Sequence, residues 1–418
     1  MIIFPYLLKN ISRFYFRRHF KLNTESQCSC FRAQKKDYLL YIHIPFCQEL
    51  CPYCTFFRVP YEKNLVVAYY QALKKELFWL KSQGFCFSAL YVGGGTPTVD
   101  MGELISLLQY LRELWPIREI SLETHPNHLE KEKIEVLVKH GLKRLSVGVQ
   151  SFDDQLLKAM NRYEKYGSSL EIQERIKNIA HLVPTLNIDL IFGLENQTLA
   201  MIHHDLETFK NLGANQISYY PLMGERHSSK ALSLVKEKKF YQAIYNCMKQ
   251  DFPARSPWCF SKNKDLLDEY IIDHEEYVGA GAGALSYLNG SLFAQSFSVN
   301  GYIKKMNQSL FLSRMKKPFT RADQIRYRFF SQLFGRSIEW KAMKKQYGPL
   351  VFFVLCKELL FFRCLLYFKK KKGFFVLKPE GFFSLMLIMK EFFHGVNIFR
   401  KMAIASCSPS CDRGKNAC

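Results

Sequence analysis

A chain of 418 residues is long enough for two or three domains and can bury a substantial core. Lysine and arginine exceed aspartate and glutamate by 22, which favours anionic partners such as nucleic acid, anionic lipid or a polycarboxylate small molecule. Thirteen cysteines, one group of them at metal-ligand spacing, argue against a disulfide scaffold and indicate a reducing compartment, so we expect a cytoplasmic protein.

Residues 1–36 form a basic extension that we expect to be flexible. Its first 21 residues include no acidic side chain. A transit peptide, a surface amphipathic helix, a disordered extension and a start codon placed too early all agree with this composition, and the sequence does not separate them. The basic residues of this stretch are Lys9, Arg13, Arg17, Arg18, His19 and Lys21.

Between Asp37 and Tyr220, short β-rich runs alternate with helical stretches, and Gly141 and Gly213 stand where helix C-terminal caps are expected. Six β-α units predict a parallel sheet with helices on its outer face. Because six units are too few for a closed eight-stranded barrel, we expect an α/β fold with an open (β/α)6 partial TIM-like barrel. The predicted strands are Tyr38–Ile44, Ala89–Val92, Glu119–Glu123, Arg144–Val149, Asn187–Phe192 and Gln216–Tyr220. The predicted helices are Leu65–Leu80, Gly102–Leu114, Lys131–Lys139, Phe152–Asn161, Glu171–His181 and Ala200–Leu212.

Three cysteines follow the first predicted strand with the spacing Cys-x3-Cys-x2-Cys, at Cys47, Cys51 and Cys54. A cubane iron–sulfur cluster takes four thiolates, so three leave one iron with an open position, as a catalytic metal site needs. A zinc knuckle with His43 as fourth ligand is the alternative. We favour it less, because zinc sites usually bring their ligands in two separated pairs.

Further ligand-binding candidates follow the later strands. The triplet Gly93–Gly95 lets a backbone approach a ligand closely, although a tight β-α turn also explains it. Glu123, Gln150 and Asp189 end successive strands, where ligands bind in parallel sheets. A carboxylate in an apolar strand is costly to bury unpaired, so each has a structural hydrogen bond or faces a ligand. Arg162 could bind a ligand carboxylate, or it is a solvated surface arginine.

After Met223 the periodicity weakens. An aromatic and basic region follows Gly301, with helices expected at Arg321–Phe334 and Pro349–Phe368. Charged residues interrupt the second of these, which therefore predicts a buried helix rather than a membrane span. The polar tail includes Cys407, Cys411 and Cys418, and we disfavour a second cluster there because nothing apolar surrounds them.

Several motifs in the same order resemble the oxygen-independent coproporphyrinogen III oxidase family of radical S-adenosylmethionine (SAM) proteins, which includes coproporphyrinogen dehydrogenases and related heme chaperones. The resemblance covers about Tyr38 to Tyr220 and resumes weakly at Tyr277–Asn289 and Met389–Arg400. The residues that support it are Tyr41-Ile-His-Ile-Pro-Phe-Cys47, Cys51-Pro-Tyr-Cys54, Gly93-Gly-Gly-Thr-Pro-Thr98, Ser121-Leu-Glu123, Leu145-Ser-Val-Gly-Val-Gln-Ser-Phe152 and Asp189-Leu-Ile-Phe-Gly-Leu194.

The resemblance implies a [4Fe–4S] cluster on Cys47, Cys51 and Cys54, whose open iron binds the methionine part of SAM. Reductive cleavage would then give methionine and a 5′-deoxyadenosyl radical, which in the dehydrogenases takes hydrogen from propionate side chains that become vinyl groups. The cluster and SAM supply this chemistry, and the protein orients and shields them. The implied cofactor-binding residues are Tyr41 and Tyr53 beside the cluster, Gly94, Gly95 and Thr96 on SAM, Glu123, Gln150, Arg162 and Asp189 at further positions, and Leu285 as a hydrophobic contact.

The resemblance also divides the chain. It implies a basic extension at 1–36, a radical SAM core at 37–235, a core-associated segment at 236–300, a mainly helical C-terminal domain at 301–400 and a flexible tail at 401–418.

Four departures from the family pattern bear on the substrate. Phe56 stands where the dehydrogenases have a further cysteine, as in the heme chaperones. The His-Asn-x-x-Tyr-Trp stretch of the chaperones is missing from the matching span Leu267–Ile272. Leu285 stands where the chaperones often have a histidine, which is closer to the dehydrogenase pattern. The motif around Arg162 usually continues to a histidine, but here Tyr163 and Glu164 follow.

Three hypotheses follow from the sequence. The first is an oxidoreductase acting on a porphyrinogen or similar tetrapyrrole, with an electron donor as partner. The second is a heme chaperone that binds heme and delivers it to apo-hemoproteins. A basic zinc protein on nucleic acid agrees with the charge alone, so we expect no nucleic-acid partner; a peripheral membrane contact agrees with the basic N terminus.

Overall fold

The computed structural model describes residue 8 and residues 10–15, 26–28, 31–34, 37–223, 233–263, 270–364 and 367–406. Its strands are β1 (Ser26–Cys28), β2 (Asp37–Ile44), β3 (Phe46–Cys47), β4 (Val59–Pro60), β5 (Cys86–Gly94), β6 (Glu119–Thr124), β7 (Leu142–Gln150), β8 (Thr185–Phe192), β9 (Gln216–Pro221), β10 (Cys259–Ser261), β11 (Tyr277–Ala280), β12 (Leu285–Leu288), β13 (Ser291–Ala294), β14 (Ser313–Pro318), β15 (Ser337–Glu339), β16 (Phe368–Lys371) and β17 (Phe374–Leu377). Its helices are α1 (Lys63–Ser82), α2 (Met101–Leu114), α3 (Lys131–Lys139), α4 (Asp154–Ala159), α5 (Tyr163–Tyr166), α6 (Ser169–Ile179), α7 (Leu199–Lys210), α8 (Leu234–Met248), α9 (Tyr270–Asp273), α10 (Val299–Asn307), α11 (Arg321–Phe334), α12 (Trp340–Tyr347), α13 (Leu350–Val354), α14 (Cys356–Cys364) and α15 (Phe382–Ser406).

The six predicted strands form the centre of one large sheet in the order β2-β5-β6-β7-β8-β9, all parallel. These strands are buried almost continuously because helices cover such sheets, which explains their long apolar runs. The predicted α/β sheet is confirmed. Gly141 and Gly213 follow helices α3 and α7 with φ of 87° and 77°, the left-handed conformation expected of helix C-caps.

The sheet is wider than the sequence indicated. Strand β11 adds a seventh parallel strand beside β2, and β12, β13, β14 and β1 continue it with antiparallel pairing. Strand β10 pairs antiparallel with β9 at the other edge. These added strands have three to six residues each, too short for a clear alternating pattern. The strand β14 also shows that the sheet extends beyond residue 300.

The C-terminal region contains helices α11 to α15 and a three-stranded sheet in the order β15-β17-β16. Helix α11 has the predicted bounds. The prediction of one buried helix over 349–368 is wrong, because the chain forms α13 and α14, interrupted at Leu355, and then strand β16. Phe353 and Leu360 are 77% and 62% exposed, so the apolar residues of this stretch divide between two faces.

Helix α15 spans 25 residues and packs over the carboxyl end of the sheet. Its Phe393 ring lies 5.8 Å from Trp258 and its Phe399 ring 5.9 Å from Phe297. In the described part of the chain, residues 379–405 are the one helical segment long and apolar enough to cross a membrane, but 61% of its most apolar window is buried inside the protein, as in a core helix.

Part of the N-terminal extension is also packed against this region. Residues 10–15 are helical, and the Arg13 guanidinium forms an ion pair with Glu391 on α15 at 2.9 Å. The Tyr15 hydroxyl donates a hydrogen bond to Glu358 on α14. This portion of the extension that we expected to be flexible therefore contacts the C-terminal helices.

Candidate functional site

A cavity of about 910 Å³ lies at the carboxyl ends of the parallel strands. The parallel sheet brings together at this edge residues that are far apart in sequence, as expected. The roles of the thirteen predicted site residues stay predictions, but all thirteen line this one cavity. They are Tyr41, Cys47, Cys51, Tyr53, Cys54, Gly94, Gly95, Thr96, Glu123, Gln150, Arg162, Asp189 and Leu285.

The cysteine loop is held closed by the backbone and by one arginine. Cys47 ends strand β3, which pairs with β4, so both ends of the loop are anchored. The Arg58 guanidinium donates through Nη2 to the carbonyl oxygens of Cys51 and Cys54. All three cysteines are free thiols, and this fixed loop presents them on one side of the cavity.

Two donors point at the sulfur atoms of this loop. The Thr96 hydroxyl lies 3.6 Å from Cys47 Sγ, and Arg162 Nη1 lies 3.6 Å from Cys51 Sγ. Burial raises the pKa of the Cys47 thiol, and the hydrogen bond from Thr96 lowers it. Hydrogen-bond donors and a nearby cation stabilise a thiolate, which is the form that binds metal. The all-sulfur donor set and its surroundings therefore fit an iron–sulfur cluster.

The zinc alternative does not agree with the position of His43. The Nε2 atom of His43 lies 2.8 Å from the carbonyl oxygen of Phe57, and Nδ1 lies 2.9 Å from the Tyr41 hydroxyl. A carbonyl oxygen only accepts, so Nε2 carries the proton and Nδ1 accepts from Tyr41. Burial lowers the pKa of His43 to about 4, so the ring is neutral with both nitrogens engaged. Within the described ranges, no three His, Cys, Asp or Glu side chains are arranged to hold a single metal ion.

The glycine triplet leaves no room for side chains. A Cβ atom on Gly95 would lie 2.7 Å from the Phe46 carbonyl oxygen, and one on Gly94 would lie 2.7 Å from the His43 ring. Gly94 has a φ of 119°, which side chains rarely adopt. Its amide also donates to Glu123 at 3.1 Å. The triplet therefore forms a tight turn and also keeps the cavity wall close to the cysteine loop.

Both carboxylates at the strand ends have hydrogen-bond donors in the protein and also face the cavity. Glu123 accepts from the Tyr91 hydroxyl at 2.9 Å, besides the Gly94 amide. Asp189 accepts from the Ser146 hydroxyl and the Asn187 side-chain amide, each at 2.8 Å. The structural and the ligand-binding explanations are therefore compatible at both residues.

Gln150 and Arg162 have constrained positions beside these carboxylates. Gln150 ends β7 with a φ of 82°, a strained conformation for a side-chain-bearing residue that often occurs at ligand sites. Arg162 is only 3% exposed, so it is not the solvated surface arginine of the alternative. It donates to the Gly148 carbonyl and to the Tyr53 hydroxyl, and its guanidinium lies over the Tyr166 ring.

The sequence did not predict the other half of the cavity wall. Helix α15 contributes Arg400 and several apolar side chains, although the sequence assigned it to a separate domain. The weak resemblance at Met389–Arg400 was the one signal that pointed to it. A group of aromatic residues completes the wall: Tyr91, Tyr220, Tyr270, Tyr277, Phe319, Tyr327, Phe392 and Phe393. Cys407, Cys411 and Cys418 lie outside the described residues.

Comparison with known proteins agrees with this site. The model of the radical SAM superfamily matches residues 41–209, which include the three cysteines and the strand ends. The heme chaperone HemW of Bacillus subtilis is 28% identical over 335 residues, covering 74% of this chain and 86% of that protein. The oxygen-independent coproporphyrinogen III oxidase of Paracoccus denitrificans is 31% identical over 255 residues, covering 58% of this chain and 54% of that protein.

Among solved structures, coproporphyrinogen III oxidase (HemN) from Escherichia coli matches with a TM-score of 0.71 and 21% identity, over 85% of this chain and 90% of that one. This likeness establishes the fold. A radical SAM domain implies a [4Fe–4S] cluster and SAM as cofactors. The chain therefore has a radical SAM domain and is a homologue of the HemW heme chaperones and the oxygen-independent coproporphyrinogen III oxidases.

Proposed function

We propose that this protein binds a [4Fe–4S] cluster and SAM and uses them on a tetrapyrrole in the cytoplasm. The observation that supports this most is that one cavity is lined by the three thiols, by the ten predicted cofactor-binding residues and by a group of aromatic side chains. The cavity volume is near the upper end of the usual range for small-molecule sites, about 300–1,000 Å³.

In this proposal the protein supplies binding, orientation and shielding. When bound, the cluster supplies the electron for reductive cleavage of SAM. Thr96 and Arg162 hold two of the thiolates, and the glycine triplet lets the cofactor approach the backbone. Glu123 and Asp189 line the cavity and are held in place by donors from the protein, so a ligand would meet carboxylates that are already oriented.

A tetrapyrrole as substrate is supported by the aromatic lining and by the named relatives. Tyr41 and Tyr270 stack at 5.2 Å and Tyr91 lies 5.3 Å from Tyr270, which gives a broad apolar surface. A flat aromatic macrocycle can stack on such a surface. The favoured reaction is therefore a SAM-dependent oxidation of a porphyrinogen, with an external electron donor.

A heme chaperone is the second candidate, and Phe56 favours it. Phe56 is 52% exposed, lines the cavity two residues after Cys54, and occupies the position where the dehydrogenases resembled by this chain have a cysteine. We therefore predict slow or absent decarboxylation of coproporphyrinogen III. The span 267–272 lacks the histidine of the chaperones, so an axial heme ligand from this span is not expected. Residues 267–269 lie outside the described residues.

An anaerobic assay with dithionite separates the candidates when 5′-deoxyadenosine and protoporphyrinogen are measured independently. Formation of both products supports the enzyme. Formation of 5′-deoxyadenosine alone, together with stoichiometric heme binding in a titration, supports the carrier. A protein that forms neither product and binds no heme would refute both candidates.

A further inference from the structure

The Arg400 guanidinium is held in a fixed orientation at the cavity. Its Nη1 donates to the Thr55 carbonyl at 2.7 Å and to the Asn397 side-chain oxygen at 2.8 Å. Its Cζ lies 5.4 Å from the centre of the Phe56 ring. Two acceptors and a ring face together determine the plane of the guanidinium, so its remaining donors have a defined direction.

The opposite edge of this guanidinium is open. Nε and Nη2 make no hydrogen bond among the described residues. Neither atom is enclosed by the protein, so both can be reached by a ligand in the cavity. These two atoms form the side-on pair of N–H groups that fits a carboxylate with two parallel hydrogen bonds. In contrast, the Nε atoms of Arg58 and Arg162 are enclosed without an acceptor.

Arg400 also lacks a carboxylate partner in the described part of the chain. Across the described ranges, no Asp or Glu oxygen lies within 4.0 Å of it, whereas Arg13, Arg314 and Arg326 each have such a partner. A half-buried arginine without an acid is costly to desolvate, and an anionic ligand offsets that cost.

The surroundings of Arg400 restrict the class of ligand. Tyr41, Cys54 and Tyr270 are near enough to affect its charge, and the stacked rings of Tyr41 and Tyr270 both line the cavity. The polar cofactor-binding candidates Glu123, Gln150 and Asp189 lie on β6, β7 and β8, whereas Tyr41 lies on β2. A ligand that reaches Arg400 therefore has a flat apolar body and a carboxylate.

We propose that Arg400 binds a carboxylate of the tetrapyrrole, a propionate, through its Nε and Nη2 edge, and so fixes the orientation of the macrocycle between the aromatic wall and the cysteine loop. This inference rests on the proposed function and names a specificity-determining residue for it. Helix α15 thereby contributes directly to the substrate site.

The test is a titration of the anaerobically reconstituted full-length protein, in the presence of SAM, with coproporphyrin III and with its tetramethyl ester in the same non-ionic detergent. Arg400→Gln should weaken the affinity for coproporphyrin III about tenfold or more, because a charge-assisted bidentate pair is lost. Its affinity for the ester should match that of the wild type. Arg400→Lys keeps the charge without the planar fork and should bind coproporphyrin III with intermediate affinity.

Lys401→Gln removes one exposed charge from the same helix and is the matched control, with affinity like that of the wild type. Iron content checks that each variant is folded, and if Arg400→Gln is not, Arg400→Lys decides the question. Unchanged affinity for coproporphyrin III, an equal loss for acid and ester, or a loss of SAM affinity alone would each overturn the inference and leave the proposed function standing. A wild-type protein that binds neither porphyrin nor heme would refute the proposed function itself.

Discussion

Single residues in this site are constrained by contacts that leave almost no free space. Gly95 shows this best, because the Phe46 carbonyl is backbone and has little freedom to move away from an added Cβ atom. The sequence could predict the importance of the triplet from its place after a strand. It could not predict which atom each glycine faces, since the strand β3 that supplies the contact has only two residues.

Gly95→Ala should therefore displace the β3 strand that ends at Cys47 and lower the iron and SAM content of the reconstituted protein. Gly102→Ala in helix α2 is the matched control, because its Cβ atom would lie 3.6 Å from the Asp100 carboxylate, an ordinary contact. Helix propensity even favours alanine there by up to about 1 kcal/mol. Full iron content in Gly95→Ala would show that the loop tolerates the shift.

Asp205 on α7 gives a pH-dependent contribution to stability. It is fully buried and accepts hydrogen bonds from the Ser151 hydroxyl, the Phe152 amide and the Tyr219 hydroxyl, but burial outweighs them and raises its pKa to about 6. A raised pKa means that the folded state favours the protonated acid, so its stabilisation is complete below the unfolded pKa of about 3.9 and disappears as the pH rises through about 6.

Between pH 4 and pH 7, the wild type should accordingly lose about 2 kcal/mol of unfolding free energy relative to Asp205→Asn. Urea unfolding of both proteins at several pH values measures this difference. A difference that does not change with pH would mean that the three donors keep Asp205 ionised throughout.

At the scale of elements, a buried polar network joins α1 to the strands that the sequence did not predict. Glu76 on α1 accepts from the Gly281 amide, the Tyr302 hydroxyl and the Arg314 guanidinium, and both charged side chains are at most 1% exposed. Arg314 on β14 also donates to the Gly279 carbonyl. This network fixes the turn between β11 and β12, next to the cavity residue Leu285.

Glu76→Gln should reduce the unfolding free energy by about 3–5 kcal/mol, because it leaves a buried arginine without its counter-ion. Glu130→Gln, which removes the exposed pair with Lys133, is the control and should cost less than about 1 kcal/mol. Equal effects of the two substitutions in denaturant unfolding would rule out a structural role for the Glu76 network.

The elements that the sequence predicted well are those with local signals. Each of the six core strands is a run of apolar residues with a turn at its end, and the motif residues follow directly. Strands β11 and β14 depend on distant partners, so their short segments had no local signal. Strands β12 and β13 form a hairpin whose local signal, the Asn289-Gly290 turn, was not used in the prediction. Helix α15 has an ordinary apolar pattern, and only the folded chain brings Arg400 to Thr55, 345 residues away.

For the molecule as a whole, the sheet and the C-terminal helix enclose one site. The parallel strands collect the thiols and the polar strand ends, and α15 closes the cavity with aromatic residues and with Arg400, which donates to the Thr55 carbonyl beside Cys54. The central claim is that Cys47, Cys51 and Cys54 hold a [4Fe–4S] cluster in this cavity.

Iron and sulfide analysis of the anaerobically reconstituted protein tests that claim most directly. The wild type should contain about four irons and four sulfides per chain. Cys47→Ala, Cys51→Ala and Cys54→Ala should each lose the cluster, while Cys86→Ala, which removes an exposed cysteine outside the cavity, should keep it. Zinc without iron in the wild type, or a full cluster in Cys51→Ala, would contradict the claim.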